Sequence, residues 1–74
     1  MKTPLELYSA VRLITDRFCG EVVCAGAIGY IVEVYNEDAY EVEFSDANGE
    51  TIALIAARRD DLTAHEPGLA LAAG

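Results

Sequence analysis

Residues Tyr40 to Phe44, YEVEF within the block AYEVEF, alternate apolar and acidic side chains without interruption. A repeat of two belongs to a β-strand with one face in a core and the other in water, because successive side chains of a strand point to opposite sides. Tyr40, Val42 and Phe44 therefore share a buried face, and Glu41 and Glu43 share a wet one. A helix would spread the same residues around its circumference. No Lys or Arg occurs from Val32 to Leu54, so the acids of this stretch have no basic neighbour in the chain.

The surroundings extend the β reading in both directions. Ile28 to Tyr35, IGYIVEVY, is rich in β-branched and aromatic residues, and Asn36-Glu37-Asp38 supplies the turn that joins it to AYEVEF as a hairpin. Asn48-Gly49 marks a second hairpin, since Gly accepts the positive φ such a turn requires. The next strand runs from Thr51 to Ala56 or slightly beyond, and Val11 to Ile14 forms an earlier one. Between them Asp16 to Gly26 reads as a loop with two apolar anchors, Phe18 and Val22. The charged run Arg58 to Leu62 suits a single 3₁₀ turn, and Thr63 to Glu66 a last short strand. Short strands with tight turns point to an all-β chain closed into a small barrel or roll, which removes exposed sheet edges. The expected core is Tyr40, Val42 and Phe44 with Ile28, Val32 and Val34.

With 74 residues the chain is one domain, assigned to 1–66, followed by a short apolar tail, 67–74, led by Pro67-Gly68. The tail either frays or docks Leu69 and Leu71 on a neighbouring subunit. A composition that is 53% hydrophobic and 24% charged excludes a disordered tail. Its longest apolar runs fall far short of the ~20 residues that cross a bilayer. MKTPLELYSA has no apolar block before Glu6 and does not read as a secretory signal, so the expected location is the cytoplasm. Five Lys and Arg against thirteen Asp and Glu leave a net charge of −8. That field repels phosphate backbones and anionic membranes, so neither nucleic acid nor membrane is an expected partner. It suits either a surface that steers a basic protein or simple solubility.

The combination Gly26-x-x-Gly29-x-Ile31-Val32-Glu33-Val34, then AYEVEF, Asp46 and Gly49, Thr51-x-Ala53-Leu54, and finally Asp61-Leu62 resembles the small bacterial family of the domain of unknown function 4926. The resemblance covers roughly Leu5 to Thr63, with AYEVEF its most specific block. The same hairpin is more weakly similar to SH3-like barrels of the KOW type and of the nitrile hydratase β subunit. The resemblance implies a five-stranded SH3-like barrel with at most a short 3₁₀ turn near 58–62, and it brings no catalytic residues with it. It also implies a small stand-alone protein encoded beside another small gene, as for an antitoxin or immunity protein. The chain departs from the family pattern between Asp16 and Ala27, where it reads FCGEVVCAGA from Phe18 onward.

Three residue groups are candidates for chemistry. Glu33, Glu41 and Glu43 fall on one outer face if the strands pair in register, and like charges kept together at some cost suit a partner that supplies Lys or Arg. Cys19 and Cys24, spaced C-x₄-C, can form a disulfide where their Cα atoms approach closely, but free, partly buried thiols are the expectation for a cytoplasmic domain. A zinc site would need both of them with His65 and a carboxylate; the paired C-x₂-C pattern is absent, so neither metal nor cofactor is expected. Cys19 with His65, oriented by Asp16 or Asp61, is the one arrangement a thiol enzyme would use. Arg58 and Arg59 beside Asp60 and Asp61 are expected to form local ion pairs. No phosphate-binding Gly loop or G-x-S-x-G motif occurs.

The leading expectation is a non-enzymatic interaction module for a basic protein, docking through Glu33, Glu41 and Glu43. An oligomeric accessory domain is the alternative, and a thiol enzyme using Cys19 the third. A homodimer is also expected, because IGYIVEVY and TIALIA carry apolar residues at both parities. Tyr35, Ile31, Leu69 and Leu71 are the expected exposed members.

Overall fold

A computed structural model describes residues 5–65. Glu66 and the tail that follows, with Leu69 and Leu71, lie outside the described residues. Five strands run in chain order, β1 Ala10–Leu13, β2 Ile28–Asn36, β3 Ala39–Ser45, β4 Thr51–Arg58 and β5 Leu62–Ala64, with 3₁₀ turns at Cys19–Glu21 and Arg59–Asp61. They form one sheet in the order β4-β3-β2-β1-β5, and every pairing is antiparallel. The chain is thus all-β, with 3₁₀ turns as the helical elements among the described residues, and its architecture is compatible with a small barrel or roll. No helix of the described residues is long and apolar enough to cross a membrane.

Strand β3 holds the expected alternation. Tyr40, Val42 and Phe44 are buried, and they pack with Val11, Leu13, Ile31, Ile55, Ala57 and Leu62 in one core. The phenol of Tyr40 stays satisfied inside: it donates to the Glu37 carbonyl at 2.9 Å and accepts from the Leu5 amide at 3.1 Å. That is how a polar atom at the end of a core residue avoids the cost of burial without a partner. Both expected turns form, with Gly49 at φ 82°. The carboxylate of Asp46 accepts from the amides of Asn48 and Glu50, closing the loop around its own side chain.

Strand β2 departs from the expected phase. Ile31, expected outside, is fully buried, whereas Ile28 and Val34 are exposed and Val32 is half-buried. The cause is a bulge: Ile31 pairs with Val42 and Glu33 with Glu41, so two steps of β2 match one step of β3 and Val32 is the extra residue. Before the bulge Gly29 and Ile31 point inward; after it the phase is reset, and Glu33 faces the same way as Glu41. A second shift between Val34 and Asn36 carries the strand into the hairpin turn.

The Asp16–Gly26 loop also differs. Phe18 is buried as expected, but the second anchor is Val23, not Val22. The 3₁₀ turn Cys19–Glu21 ends on Val22 in the left-handed region, at φ 81°, which turns the Val22 side chain to solvent and delivers Val23 to the core. The same reversal brings Cys19 and Cys24 to a Cα separation of 4.6 Å, and they are joined as a disulfide, which overturns the expectation of free thiols.

Asp61 is the buried charged residue of the described core. Its carboxylate forms an ion pair with Arg17, 44 positions away, and accepts the Arg58 amide at 2.9 Å, while its carbonyl accepts the Ile14 amide. The side-chain ion pair of Asp61 is therefore long-range, not with the guanidinium groups beside it in sequence. Burial pushes this carboxyl toward its neutral form. The Arg17 hydrogen bond, the Arg58 N–H and the charges of Arg17 and Arg58 outweigh burial, and the group sits below the usual carboxylate range.

Gly29 fixes how closely β2 approaches β3. A Cβ at this position would lie 2.7 Å from the Glu43 carbonyl oxygen and 2.9 Å from the Phe44 ring. Neither the ladder nor a fully packed ring can yield cheaply. Gly29→Ala is expected to lower unfolding free energy by about 1–3 kcal/mol, the range typical of overpacking, as read from urea denaturation; an unchanged midpoint would show that this approach is not a constraint.

Candidate functional site

The wet side of β2, β3 and β4 gathers the acids singled out in the sequence. Glu33 and Glu41 are direct cross-strand partners. Glu43 lies two residues further along β3, opposite Tyr30 on one side and Leu54 on the other. One row across the sheet therefore reads Tyr30, Glu43, Leu54, and the next reads Glu33, Glu41, Ala56. Tyr30 and Leu54 are both more than half exposed, at 54% and 56%. These two residues were not among the expected site members. Their signal was the outward parity of β2 before its bulge and of β4, legible only once the register was known.

The carboxylates are oriented by neighbouring hydroxyls. Tyr35 donates its phenolic hydrogen to Glu41 at 2.6 Å, and Thr51 donates its hydroxyl to Glu43 at 2.5 Å. Each bond leaves the second carboxylate oxygen, and further lone pairs, for another donor. Glu33 is exposed beside this group, close enough that its charge acts on Tyr35. The hydrogen bond to Glu41, with lesser contributions from desolvation and from the charges of Glu41 and Glu33, raises the Tyr35 phenol above its ordinary value.

Oxygen acceptors interleaved with tyrosine rings and an aliphatic side chain suit a particular class of ligand group. A guanidinium or ammonium could donate charge-assisted hydrogen bonds to the carboxylates, with room for its alkyl stem or cationic head against Tyr30. Exposed Arg58, opposite Ala39 and two residues beyond Ala56 on β4, borders the Glu33, Glu41, Ala56 row, whereas Arg12 on β1 pairs across to Ile28 and lies 3.5 Å from the His65 ring. The acids of β2 and β3 thus share their face with Tyr30, Leu54 and Thr51, and with Arg58 at its margin.

The cysteine arrangements behave differently. Among the described residues, the potential metal-ligating atoms that come together belong to Asp16, Cys19 and Cys24, all exposed and within 4.8 Å of one another. The two sulfurs are bonded to each other, and an Asp16 carboxylate oxygen accepts the Ala25 amide at 2.9 Å. His65 is not part of this group; it sits at the end of β5, against Arg12. Of the arrangement a thiol enzyme would use, Asp16 lies beside Cys19, whereas neither His65 nor Asp61 joins that cluster, and Cys19 is bonded to Cys24.

A five-stranded all-β domain with an acidic, tyrosine-bearing sheet face is the class that fold and face define. The chain belongs to the family described as Domain of unknown function (DUF4926), whose family model matches residues 7–64. No curated protein and no solved structure matches it.

The Tyr35–Glu41 contact has a direct optical readout. In an ultraviolet titration of phenolate absorbance, Tyr35, identified by its loss in Tyr35→Phe, is expected to ionise above the ordinary ~10 of tyrosine. Glu41→Gln is expected to bring it down toward that value. The neutral phenol is the form favoured by folding, so its small contribution to stability is present below the ordinary value and disappears as pH rises through the raised one. Superimposable curves for wild type and Glu41→Gln would show that the Glu41 carboxylate does not act on Tyr35 in solution.

Proposed function

We propose that this protein is a non-enzymatic interaction module that docks a basic protein segment on the acidic face of an SH3-like barrel, with Glu33, Glu41 and Glu43 as acceptors and Tyr30 and Tyr35 as the apolar floor. The observation that carries the reading is the cross-strand pairing of Glu33 with Glu41, with Glu43 two residues along and set between Tyr30 and Leu54. Like charges opposite each other on a sheet cost stability. A Lys- or Arg-bearing partner repays that cost and gains oriented hydrogen bonds. The net charge of −8 adds long-range steering of the same sign. The SH3-like assignment is supported by the strand order β4-β3-β2-β1-β5 and by the 3₁₀ turn between β4 and β5. An antitoxin- or immunity-type role in the cytoplasm is the form of this function that the small acidic chain suits best.

The test uses the intact chain as bait in a lysate of its host, followed by titration of the recovered basic protein. Glu41→Lys/Glu43→Lys is expected to abolish binding and Glu41→Gln/Glu43→Gln to weaken it partway. Wild-type affinity is expected to fall as salt shortens the Debye length below its ~8 Å at physiological ionic strength. Equal affinity of both double variants and wild type would overturn the reading and leave the acids to solubility alone.

A further inference from the structure

The loop between β1 and β2 carries chemistry that the acidic face does not use. Asp16, Cys19 and Cys24 are all exposed, and one potential ligand atom from each lies within 4.8 Å of the others. The C-x₄-C spacing supplies two of these donors. The fold brings in the third, with Oδ1 of Asp16 3.6 Å from the Cys19 sulfur.

Contacts other than the disulfide hold the group together. Phe18, next to Cys19, and Val23, next to Cys24, are both buried in the core, so each cysteine is carried by an anchored neighbour. The Cys19 amide donates to the Asp16 carbonyl, the Val22 amide to the Cys19 carbonyl and the Ala27 amide to the Cys24 carbonyl, each at 3.1 Å. The Ala25 amide, one residue past Cys24, donates to Oδ1 of Asp16 at 2.9 Å. That bond ties the carboxylate to the far side of the loop and leaves its other oxygen for a second partner. The backbone thus sets the cysteine Cα atoms 4.6 Å apart by contacts that breaking the sulfur–sulfur bond does not remove.

We propose that the reduced Cys19–Cys24 pair, together with Asp16, is a binding site for a thiophilic divalent cation of the zinc class, and that the disulfide closes this site to the metal. Two thiolates and a carboxylate are a donor set zinc accepts, and three protein ligands leave its fourth tetrahedral position to water. Two sulfurs each ~2.3 Å from a tetrahedral ion lie about 3.8 Å apart. Exposed cysteines with these Cα positions reach that spacing by rotating about χ1, with no backbone movement. Thiolates select zinc over magnesium or calcium, and the chain's net charge of −8 attracts any cation. The Ala25 N–H orients the carboxylate ligand from behind.

Opening the site takes a dithiol reductant. Its thiolate attacks one sulfur of the Cys19–Cys24 bond, forming a mixed disulfide and releasing the other cysteine as a thiolate. The reductant's second thiol then displaces the first cysteine and leaves as a disulfide, so the reductant is oxidised and the cysteine pair reduced by two electrons. Metal binding by the two thiols releases their protons. An exposed disulfide is accessible to this exchange. The site shares no residue with the acidic face and stands whether or not that face takes a basic partner.

Calorimetric titration of Zn²⁺ into the intact chain tests the proposal. The chain reduced with a phosphine is expected to take up one equivalent, and the oxidised chain none. Zinc is also expected to protect both thiols of the reduced chain from alkylation by iodoacetamide, as read by mass. Cys24→Ser is expected to abolish binding. Asp16→Asn keeps an oxygen for the Ala25 amide and removes only the charged ligand, so it is expected to weaken binding by about ten-fold or more. Circular dichroism verifies that each variant is folded. A reduced wild type that takes up no zinc would overturn the site, as would equal affinity in Asp16→Asn or equal binding by the oxidised chain. Uptake of half an equivalent would place the metal between two copies and overturn a site built within one chain.

Discussion

Everything in this fold depends on β3 keeping a strict period of two while it is hydrogen-bonded on both sides. Its inward residues, Tyr40, Val42 and Phe44, are among the most completely buried side chains of the described residues. Its outward residues, Glu41 and Glu43, are the centre of the acidic face. One strand therefore specifies both the hydrophobic core and the acidic face proposed for docking, and a one-residue slip would exchange them. Gly29 enforces the register from the β2 side, because its missing side chain lets the Phe44 ring and the Glu43 carbonyl come close.

The parts furthest from β3 are held by polar contacts between distant segments. Asp61 ties the turn before β5 to Arg17 in the long loop and to Ile14 just beyond β1. The Cys19–Cys24 disulfide closes that same loop on itself, and Phe18 and Val23 sink it into the core. These contacts leave the β2-β3-β4 face untouched, so the scaffold and the candidate docking surface rest on separate sets of residues. Tyr35 and Thr51 belong to the surface set: their hydroxyls fix two carboxylates that would otherwise move freely in water.

What could be read from the sequence was what local chemistry decides. AYEVEF announced its own faces, Asn48-Gly49 its turn, and Arg58 to Leu62 its 3₁₀ turn. Illegible features depended on a residue's partner. IGYIVEVY is apolar at both parities, so its phase was decided by the bulge at Val32, which only pairing with β3 reveals, and Ile31 moved inside while Ile28 moved out. Val22 and Val23 are chemically identical; the left-handed turn at Val22 chose between them. Arg17 and Asp61 are too far apart in the chain for any local pattern to join them. Glu41 and Glu43 were legible from alternation alone, whereas Glu33, Tyr30 and Leu54, one strand away on either side, needed the register.

In the proposed reading Glu41 and Glu43 belong to a surface kept for a partner, and their charges are not needed to hold the sheet together. Equilibrium urea unfolding of Glu41→Gln/Glu43→Gln against wild type tests it most directly, because Gln keeps an acceptor for Tyr35 and Thr51 and removes only charge. Relief of repulsion between Glu33, Glu41 and Glu43 predicts equal stability or a gain of a few tenths of a kcal/mol. A loss of more than about 1 kcal/mol, the scale of a structural hydrogen bond, would show that the carboxylates are part of the fold's own support and contradict the account.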